Sequence, residues 1–152
     1  MYQHSFDTTI LRSYDIRGIF GKTLNKNDAF MLGFFYGITV KNNNPTKVCP
    51  LIIIGMDGRL SSPILEKNLC AGLEESGCEI YRIGLGPTPM LYFASHYYQA
   101  DGAIQVTGSH NPKEYNGFKM VLNQDSFFGE DIKKLGKLAQ KGHFQTYNGF
   151  SK

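Results

Sequence analysis

Short apolar runs alternate along the chain with segments in which apolar residues recur every three or four positions. Leu51–Ile54 is a continuous, β-branched run followed by a glycine, which is typical of a strand buried on both faces of a sheet. Leu65, Leu69 and Leu73 then recur at four-residue spacing until Gly77, and this spacing predicts a helix. The chain therefore contains at least one clear strand, loop and helix unit.

The same patterns predict the remaining regular elements. Strands are expected at Cys78–Ile83, Gly102–Thr107 and Gly117–Leu122, and helices at residues 27–41, 90–98 and 130–141. Only about ten residues separate the last two strands, which is too few for a crossover helix, so the final strand should run antiparallel to its neighbour. The sequence thus predicts an α/β protein with a three-layer α/β/α architecture. Its four-stranded sheet should be mixed and mostly parallel, with an antiparallel last strand.

Two helix starts carry recognisable signals. A hydroxyl of Ser61 or Ser62 should cap the helix after the first strand, with Pro63 at its first position. In the same way, Thr88 should cap a helix that Pro89 opens. These signals place the Gly/Ser-rich segment between the first strand and its helix in a loop.

Composition and charge narrow the class of protein. With 152 residues, 41% hydrophobic and 13% aromatic, the chain has the size and composition of one globular domain rather than a disordered segment. A net charge of +3 is too small to indicate a nucleic-acid partner. The three cysteines, Cys49, Cys70 and Cys78, have neither disulfide-framework nor zinc-ligand spacing.

Nothing in the sequence indicates a membrane or an export route. The longest apolar run, Leu51–Ile54, is far shorter than the roughly 20 residues that span a bilayer, and the first residues lack the pattern of a signal peptide. We therefore expect a cytoplasmic protein with no nucleic-acid and no membrane partner.

The polar loop after the third strand is the best candidate for chemistry. Gly108 allows a sharp turn, Ser109 presents a hydroxyl at its apex, and Asn111–Pro112 fixes the exit. Such loops at strand ends are where α/β proteins build their sites.

Two further residues suit phosphoryl transfer at this hydroxyl. His110 can move a proton near neutral pH, and Lys119 supplies a fixed positive charge. Each residue taken singly also has an ordinary explanation: Ser109 as a turn former, His110 as a surface residue, and Lys119 as a charge that protects a strand edge.

Taken together, the residues of this loop resemble a specific family. Residues 107–119, TGSHNPKEYNGFK, are similar to the phosphoserine loop of the α-D-phosphohexomutases, the phosphomannomutase/phosphoglucomutase superfamily. Three further segments agree in order and spacing, namely Tyr14–Ile19, Gly55–Pro63 and Pro87–Pro89. The resemblance therefore spans almost the whole chain.

The resemblance implies an isomerase that acts as an intramolecular phosphotransferase. The serine matching Ser109 would carry a phosphoryl group, donate it to a hexose phosphate and recover one from a bisphosphorylated intermediate, interconverting the 1- and 6-phosphates. His110 and Lys119 would be the other catalytic residues. Mg²⁺ would bind the phosphate on Ser109, which makes this serine both carrier and metal ligand.

The resemblance also implies binding residues. Tyr14, Arg17 and Asn111 would contact substrate or phosphate, with Arg17 offering a planar fork to phosphate oxygens. The alternative for Arg17 is a structural role in a tight turn. Asp57 and Arg59 would pair to shape the loop before the helix, although an ordinary buried ion pair is equally consistent with the sequence.

The resemblance also implies a domain organisation. Residues 1–146 would form domain I, and residues 147–152 would begin an interdomain linker. The Asp-Gly-Asp-Gly-Asp metal loop, the sugar-recognition loop and the phosphate clamp of the later domains have no counterpart in this sequence. The second domain would supply the other Mg²⁺ ligands, with a hexose phosphate as substrate and glucose or mannose 1,6-bisphosphate as activator or intermediate. We expect this chain by itself to be inactive.

Two other functions remain open on the sequence alone. The chain could be a stand-alone, non-catalytic α/β module that binds an anion or a protein through the same loop. A Ser-His hydrolase is disfavoured, because adjacent Ser109 and His110 side chains should point apart in extended backbone and no Gly-x-Ser-x-Gly motif is present.

Overall fold

The computed structural model describes residues 1–143 and 149–152. Its helices are α1 (Lys26–Asn43), α2 (Ser62–Glu75), α3 (Thr88–Tyr97) and α4 (Glu130–Lys141). Its strands are β1 (Ile16–Ile19), β2 (Leu51–Met56), β3 (Glu79–Leu85), β4 (Gly102–Val106), β5 (Tyr115–Leu122), β6 (Asp125–Phe127) and β7 (Phe150–Ser151).

In the described part of the chain, these strands form one mixed sheet. The order is β1-β5-β4-β2-β3-β7, and β6 pairs with β5 beside this path. Strand β2 runs parallel to β3 and β4, and β3 runs parallel to β7. Strand β5 is antiparallel to β1, β4 and β6. The carboxyl ends of β2, β3 and β4 therefore lie at one edge of the sheet.

The α/β class, the mixed sheet and the antiparallel direction of β5 against β4 are confirmed. The expected count of four strands is too small, because β1, β6 and β7 have only two to four residues each. Runs that short carry no periodic signal. With these strands included, parallel and antiparallel pairings are equal in number rather than mostly parallel.

Alternation along β2 builds the three layers. Ile52 and Ile54 belong to the larger core beneath α1, α2 and α4, whereas Ile53 packs with Leu91 of α3 on the opposite face. The run is apolar at every position because both faces of this central strand are covered. Helix packing is close as well: a Cβ on Gly33 of α1 would overlap a backbone carbonyl of α2.

Both predicted hydroxyl caps are wrong. Helix α2 starts after Ser61 without a side-chain cap, and Pro63 occupies its second position rather than its first. The hydroxyl of Ser62 instead donates a hydrogen bond to the Asp57 carboxylate. Helix α3 follows Pro87 with no side-chain cap, so Thr88 is its first residue rather than its cap.

The end of the chain lies along the sheet where it is described. Residues 147 and 148 of the expected linker lie outside the described residues. Phe150 and Ser151 form β7 beside β3, so this part of the segment packs against the sheet. The boundary at residue 146 stays a prediction.

Candidate functional site

Two loops meet at the carboxyl edge of the parallel strands. One follows β2 and contains Asp57 and Arg59, and the other joins β4 to β5 and contains Ser109. The backbone N–H of Asp57 donates to the Val106 carbonyl at 2.9 Å, which extends the pairing of β2 and β4 past their ends. The side chains of the two loops are thereby brought into contact.

The Asp57 carboxylate fixes the start of the serine loop. One oxygen accepts from the Ser62 hydroxyl at 2.6 Å and from the Arg59 N–H at 3.1 Å. The other accepts from the Thr107 hydroxyl and from the Gly108 N–H, both at 2.9 Å. Burial by itself raises the pKa of Asp57, but hydrogen bonds from these four residues outweigh it and hold the pKa below its ordinary value.

Arg59 fixes the rest of the loop. Its Nε donates to Asp57 at 3.2 Å, while its Nη atoms donate to four backbone carbonyl oxygens between residues 109 and 115. The acceptors are Pro112 at 2.6 Å, Asn111 at 2.7 Å, Ser109 at 3.1 Å and Tyr115 at 3.1 Å. Arg59 and Asp57 therefore form an ion pair that shapes two loops. One is their own loop after β2, and the other is the serine loop, about 50 residues further along the chain.

Ser109 stands at the apex in a left-handed conformation with φ of +51°. A non-glycine residue adopts this region only where its surroundings impose it. The Ser109 N–H donates to the Thr107 hydroxyl at 2.9 Å, and Ser109 Oγ lies 3.3 Å from Nδ1 of His110. The expectation that the Ser109 and His110 side chains point apart is therefore wrong, because the backbone at Ser109 is not extended.

Asn111 enters the site through its backbone. Its carbonyl accepts from Arg59, and its N–H donates to the Gly108 carbonyl at 3.0 Å. The residue also lines an open cavity of about 590 Å³ together with Arg59, Leu60 and others on the Asp57 side of the loop.

A second cavity, of about 320 Å³, contains two of the other candidate residues. Tyr14 and Lys119 line it together with Asp15, Tyr92 and Phe128. The Tyr14 ring is 80% exposed and stacks on Phe128 with 6.3 Å between ring centroids. Among the residues that the structure describes, the side-chain ammonium of Lys119 has no hydrogen-bond or ion-pair partner.

Arg17 is buried and contacts Asp15, which lines this cavity. It is only 1% exposed, and its register partner on β5 is Gly117, two residues before Lys119. Its Nη2 donates to the Asp15 carboxylate at 2.6 Å, whereas its buried Nη1 has no hydrogen-bond partner among the described residues. Because a buried donor of this kind is normally satisfied, the free Nη1 suits an anion.

The candidate residues thus fall into two groups. Ser109, His110 and Asn111 share the loop after β4, while Tyr14 and Lys119 share the cavity beside Arg17. The sequence did not point to Thr107, to Asp15 or to the contacts of Arg59 with the serine loop. Only the Asp57–Arg59 spacing hinted at the last of these, and it did not identify the backbone acceptors.

The described residues do not form a complete Mg²⁺ site. No three His, Cys, Asp or Glu side chains of the described ranges cluster so as to hold a metal ion. Both oxygens of Asp57, the carboxylate that contacts the serine loop, are already engaged by hydrogen bonds.

Fold and site together define an α/β/α domain that presents one serine on a loop held by the Asp57–Arg59 pair. A family model described as "Phosphoglucomutase/phosphomannomutase, alpha/beta/alpha domain I" matches residues 8–146. The chain belongs to this family.

Individual relatives agree with the family match. A phosphomannomutase/phosphoglucomutase of Pseudomonas syringae pv. tomato is 40% identical over 141 residues, which are 93% of this chain and 30% of that protein. A phosphoglucomutase of Neisseria gonorrhoeae is 41% identical over 140 residues, or 92% of this chain and 30% of that protein. The chain therefore spans about a third of the length of the curated relatives it matches.

The solved structures show the same correspondence. A phosphoglucomutase/phosphomannomutase family protein of Burkholderia thailandensis superposes with a TM-score of 0.88 at 36% identity, covering 97% of this chain and 33% of that one.

Among the described residues, no helix has the length and apolar character needed to cross a bilayer.

Proposed function

We propose that this chain is the phosphoserine-carrying domain of a phosphomannomutase/phosphoglucomutase. The observation that carries the proposal is the left-handed Ser109, whose hydroxyl stands at the apex of a loop held by Asp57 and Arg59. The family match and the relatives' names supply the class of reaction.

The reaction is balanced with Ser109 as a temporary carrier. A hydroxyl oxygen of the hexose phosphate attacks the phosphorus atom, the bond from phosphorus to Ser109 Oγ breaks, and the hydroxyl proton passes to a base. The bisphosphorylated sugar then turns over, and Ser109 Oγ recovers the phosphoryl group from the other position. One hexose phosphate enters, its isomer leaves, and the phosphoserine is restored.

The roles of the neighbouring residues follow from their positions. His110 Nδ1, at 3.3 Å from Ser109 Oγ, can orient this oxygen or exchange a proton with it. Lys119 supplies positive charge for the transferred group. Arg17 offers its free Nη1 to phosphate. Tyr14 borders the cavity that a sugar phosphate would occupy, and Asn111 contacts the substrate from the serine loop.

The proposal includes components that this chain does not supply. Mg²⁺ would stabilise charge on the phosphoserine oxygen, its other ligands would come from further domains, and a hexose 1,6-bisphosphate would charge the serine. Residues 1–152 alone should therefore have negligible mutase activity. A cytoplasmic location stays a prediction.

The test is Ser109→Ala in the complete product of the gene, assayed with glucose 1-phosphate and mannose 1-phosphate. We expect activity to fall at least about a thousandfold, because the group that carries the phosphoryl is gone. Ser5→Ala, an exposed serine in the N-terminal segment, is the matched control and should be as active as wild type.

Two outcomes would contradict the proposal. Normal turnover by Ser109→Ala would exclude the serine as carrier. A complete gene product that interconverts neither hexose phosphate would favour the non-catalytic binding module, and calorimetry with inorganic phosphate would then test anion binding by the loop.

A further inference from the structure

We propose that Arg59 is a positioning residue that sets the conformation of Ser109 without touching substrate. The inference rests on the proposed function for its catalytic consequence, but its structural content concerns the loop alone. The two can therefore fail separately.

The hydrogen bonds of Arg59 leave it no donor for a ligand. A guanidinium has five N–H groups. One is used by Asp57 and four by the carbonyl oxygens of the serine loop. The side chain is also only 16% exposed. An arginine so engaged serves the loop rather than a phosphate.

The fork geometry explains why arginine is required. The four carbonyl acceptors belong to residues 109, 111, 112 and 115, so a single planar group gathers a turn of seven residues around itself. Lysine has three donors on one atom and cannot reproduce this arrangement. Without the guanidinium, several loop carbonyls would lose their partners together.

The hydrogen bonds from Arg59 to the loop carbonyls also determine the orientation of the peptide unit at the apex, Ser109. Because a trans peptide unit directs its C=O and N–H in opposite directions, the bond from Arg59 to the Ser109 carbonyl turns the His110 N–H away from the guanidinium. The Arg59 guanidinium also fills the space that a Cβ of residue 108 would take, so only glycine fits at this position while Arg59 is in place. The left-handed φ of Ser109 is held between these contacts.

The structural test is amide hydrogen exchange of the 152-residue chain, read by mass spectrometry on peptides covering residues 107–116. The variants are Arg59→Ala and Arg59→Lys. The matched controls are Arg82→Ala and Arg82→Lys, because Arg82 makes a two-pronged ion pair with the buried Glu66, and these two residues lie on β3 and α2.

We expect both Arg59 variants to speed exchange of the loop peptide at least about tenfold. Added guanidinium ion at millimolar concentration should slow it again in Arg59→Ala but not in Arg59→Lys. The Arg82 variants should lower the thermal midpoint without changing loop exchange. Unchanged exchange in Arg59→Ala, or an equal change in Arg82→Ala, would overturn the inference.

The catalytic test uses the complete gene product. Arg59→Ala should lower kcat about a hundredfold with KM within about threefold, because the residue positions the serine and does not bind substrate. If Ser109→Ala abolishes turnover while Arg59→Ala keeps its kcat, the positioning role is wrong and the proposed function stands. If Ser109→Ala keeps turnover, the proposed function fails whatever the loop does.

Discussion

The base of the serine loop and the cavity around Lys119 are built in opposite ways. In the base, the Asp57 carboxylate and the Arg59 guanidinium are saturated by internal hydrogen bonds. In the cavity, the Lys119 ammonium has no partner among the described residues, and behind Asp15 the buried Arg17 Nη1 is also without one. In the base, the charged groups are used by internal hydrogen bonds, whereas near Lys119 two donors have no partner in the described part of the chain.

This difference separates residues that hold the site from residues that can bind a ligand. Saturated charges stabilise a fixed conformation and have nothing left to offer an anion. A buried donor without a partner lowers the stability of the fold, and an anion that accepts from it removes this cost. Substitutions in the base should therefore disturb stability, loop order and, through Ser109, kcat, whereas substitutions in the cavity should disturb substrate binding and catalysis without changing the loop.

The largest of the remaining effects is expected at Lys119. Lys119→Met keeps the length of the side chain and removes its charge, so kcat/KM for hexose 1-phosphate should fall about a hundredfold in the complete gene product. Thermal stability should hardly change. Lys137→Met, at an exposed position of α4, is the control and should have wild-type kinetics. A Lys119→Met enzyme within about threefold of wild type would remove Lys119 from the site.

A smaller effect, measured as stability, is expected at Asp57. Asp57→Asn should lower the free energy of unfolding by about 2 kcal/mol at neutral pH, because hydrogen bonds to a charged acceptor are lost. Urea denaturation measures this difference. Asp125→Asn, at an exposed position of β6, should change the free energy of unfolding by less than about 0.5 kcal/mol.

The Asp57 prediction has a pH dependence of known sign. The carboxyl has a folded-state pKa below its ordinary value of 3.8, so its contribution is complete above that value and is lost as pH falls through the folded pKa. The stability gap between wild type and Asp57→Asn should therefore be constant near neutral pH and narrow below about pH 4. A gap that widens on acidification would contradict the hydrogen-bond network described for Asp57.

The smallest effect is expected at Arg17. Arg17→Lys replaces the fork with a single ammonium, so we expect KM for hexose phosphate to rise about tenfold with little change in kcat. The thermal midpoint, measured in parallel, reports any damage from loss of the Asp15 contact. A variant with lower stability and unchanged KM would show that Arg17 is a structural residue of its turn.

Much of the fold could be predicted because its central elements have strong local signals. The apolar run of β2, the leucine spacing of α2 and the charged ends of α4 identify these elements directly. Strand β1 could not be found in this way, because its four residues contain an arginine and a glycine. It forms because β5 offers it a partner.

The site was predictable only in part for a similar reason. Ser109 and His110 stand out in a recognisable motif, but the acceptors of Arg59 are backbone carbonyls, which any sequence possesses. Their convergence depends on the pairing of β2 with β4, which no local pattern encodes. The side chains of Ser61 and Ser62 show the same limit, because Asn116 and Asp57 engage them in place of the helix end.

The most direct measurement of the central claim is peptide mass spectrometry of the complete gene product after incubation with glucose 1,6-bisphosphate and Mg²⁺. The account predicts one phosphoryl group on the peptide that contains Ser109, and none on the same peptide of Ser109→Ala. A phosphoryl group on another residue, or none at all in a protein that still interconverts hexose phosphates, would contradict it.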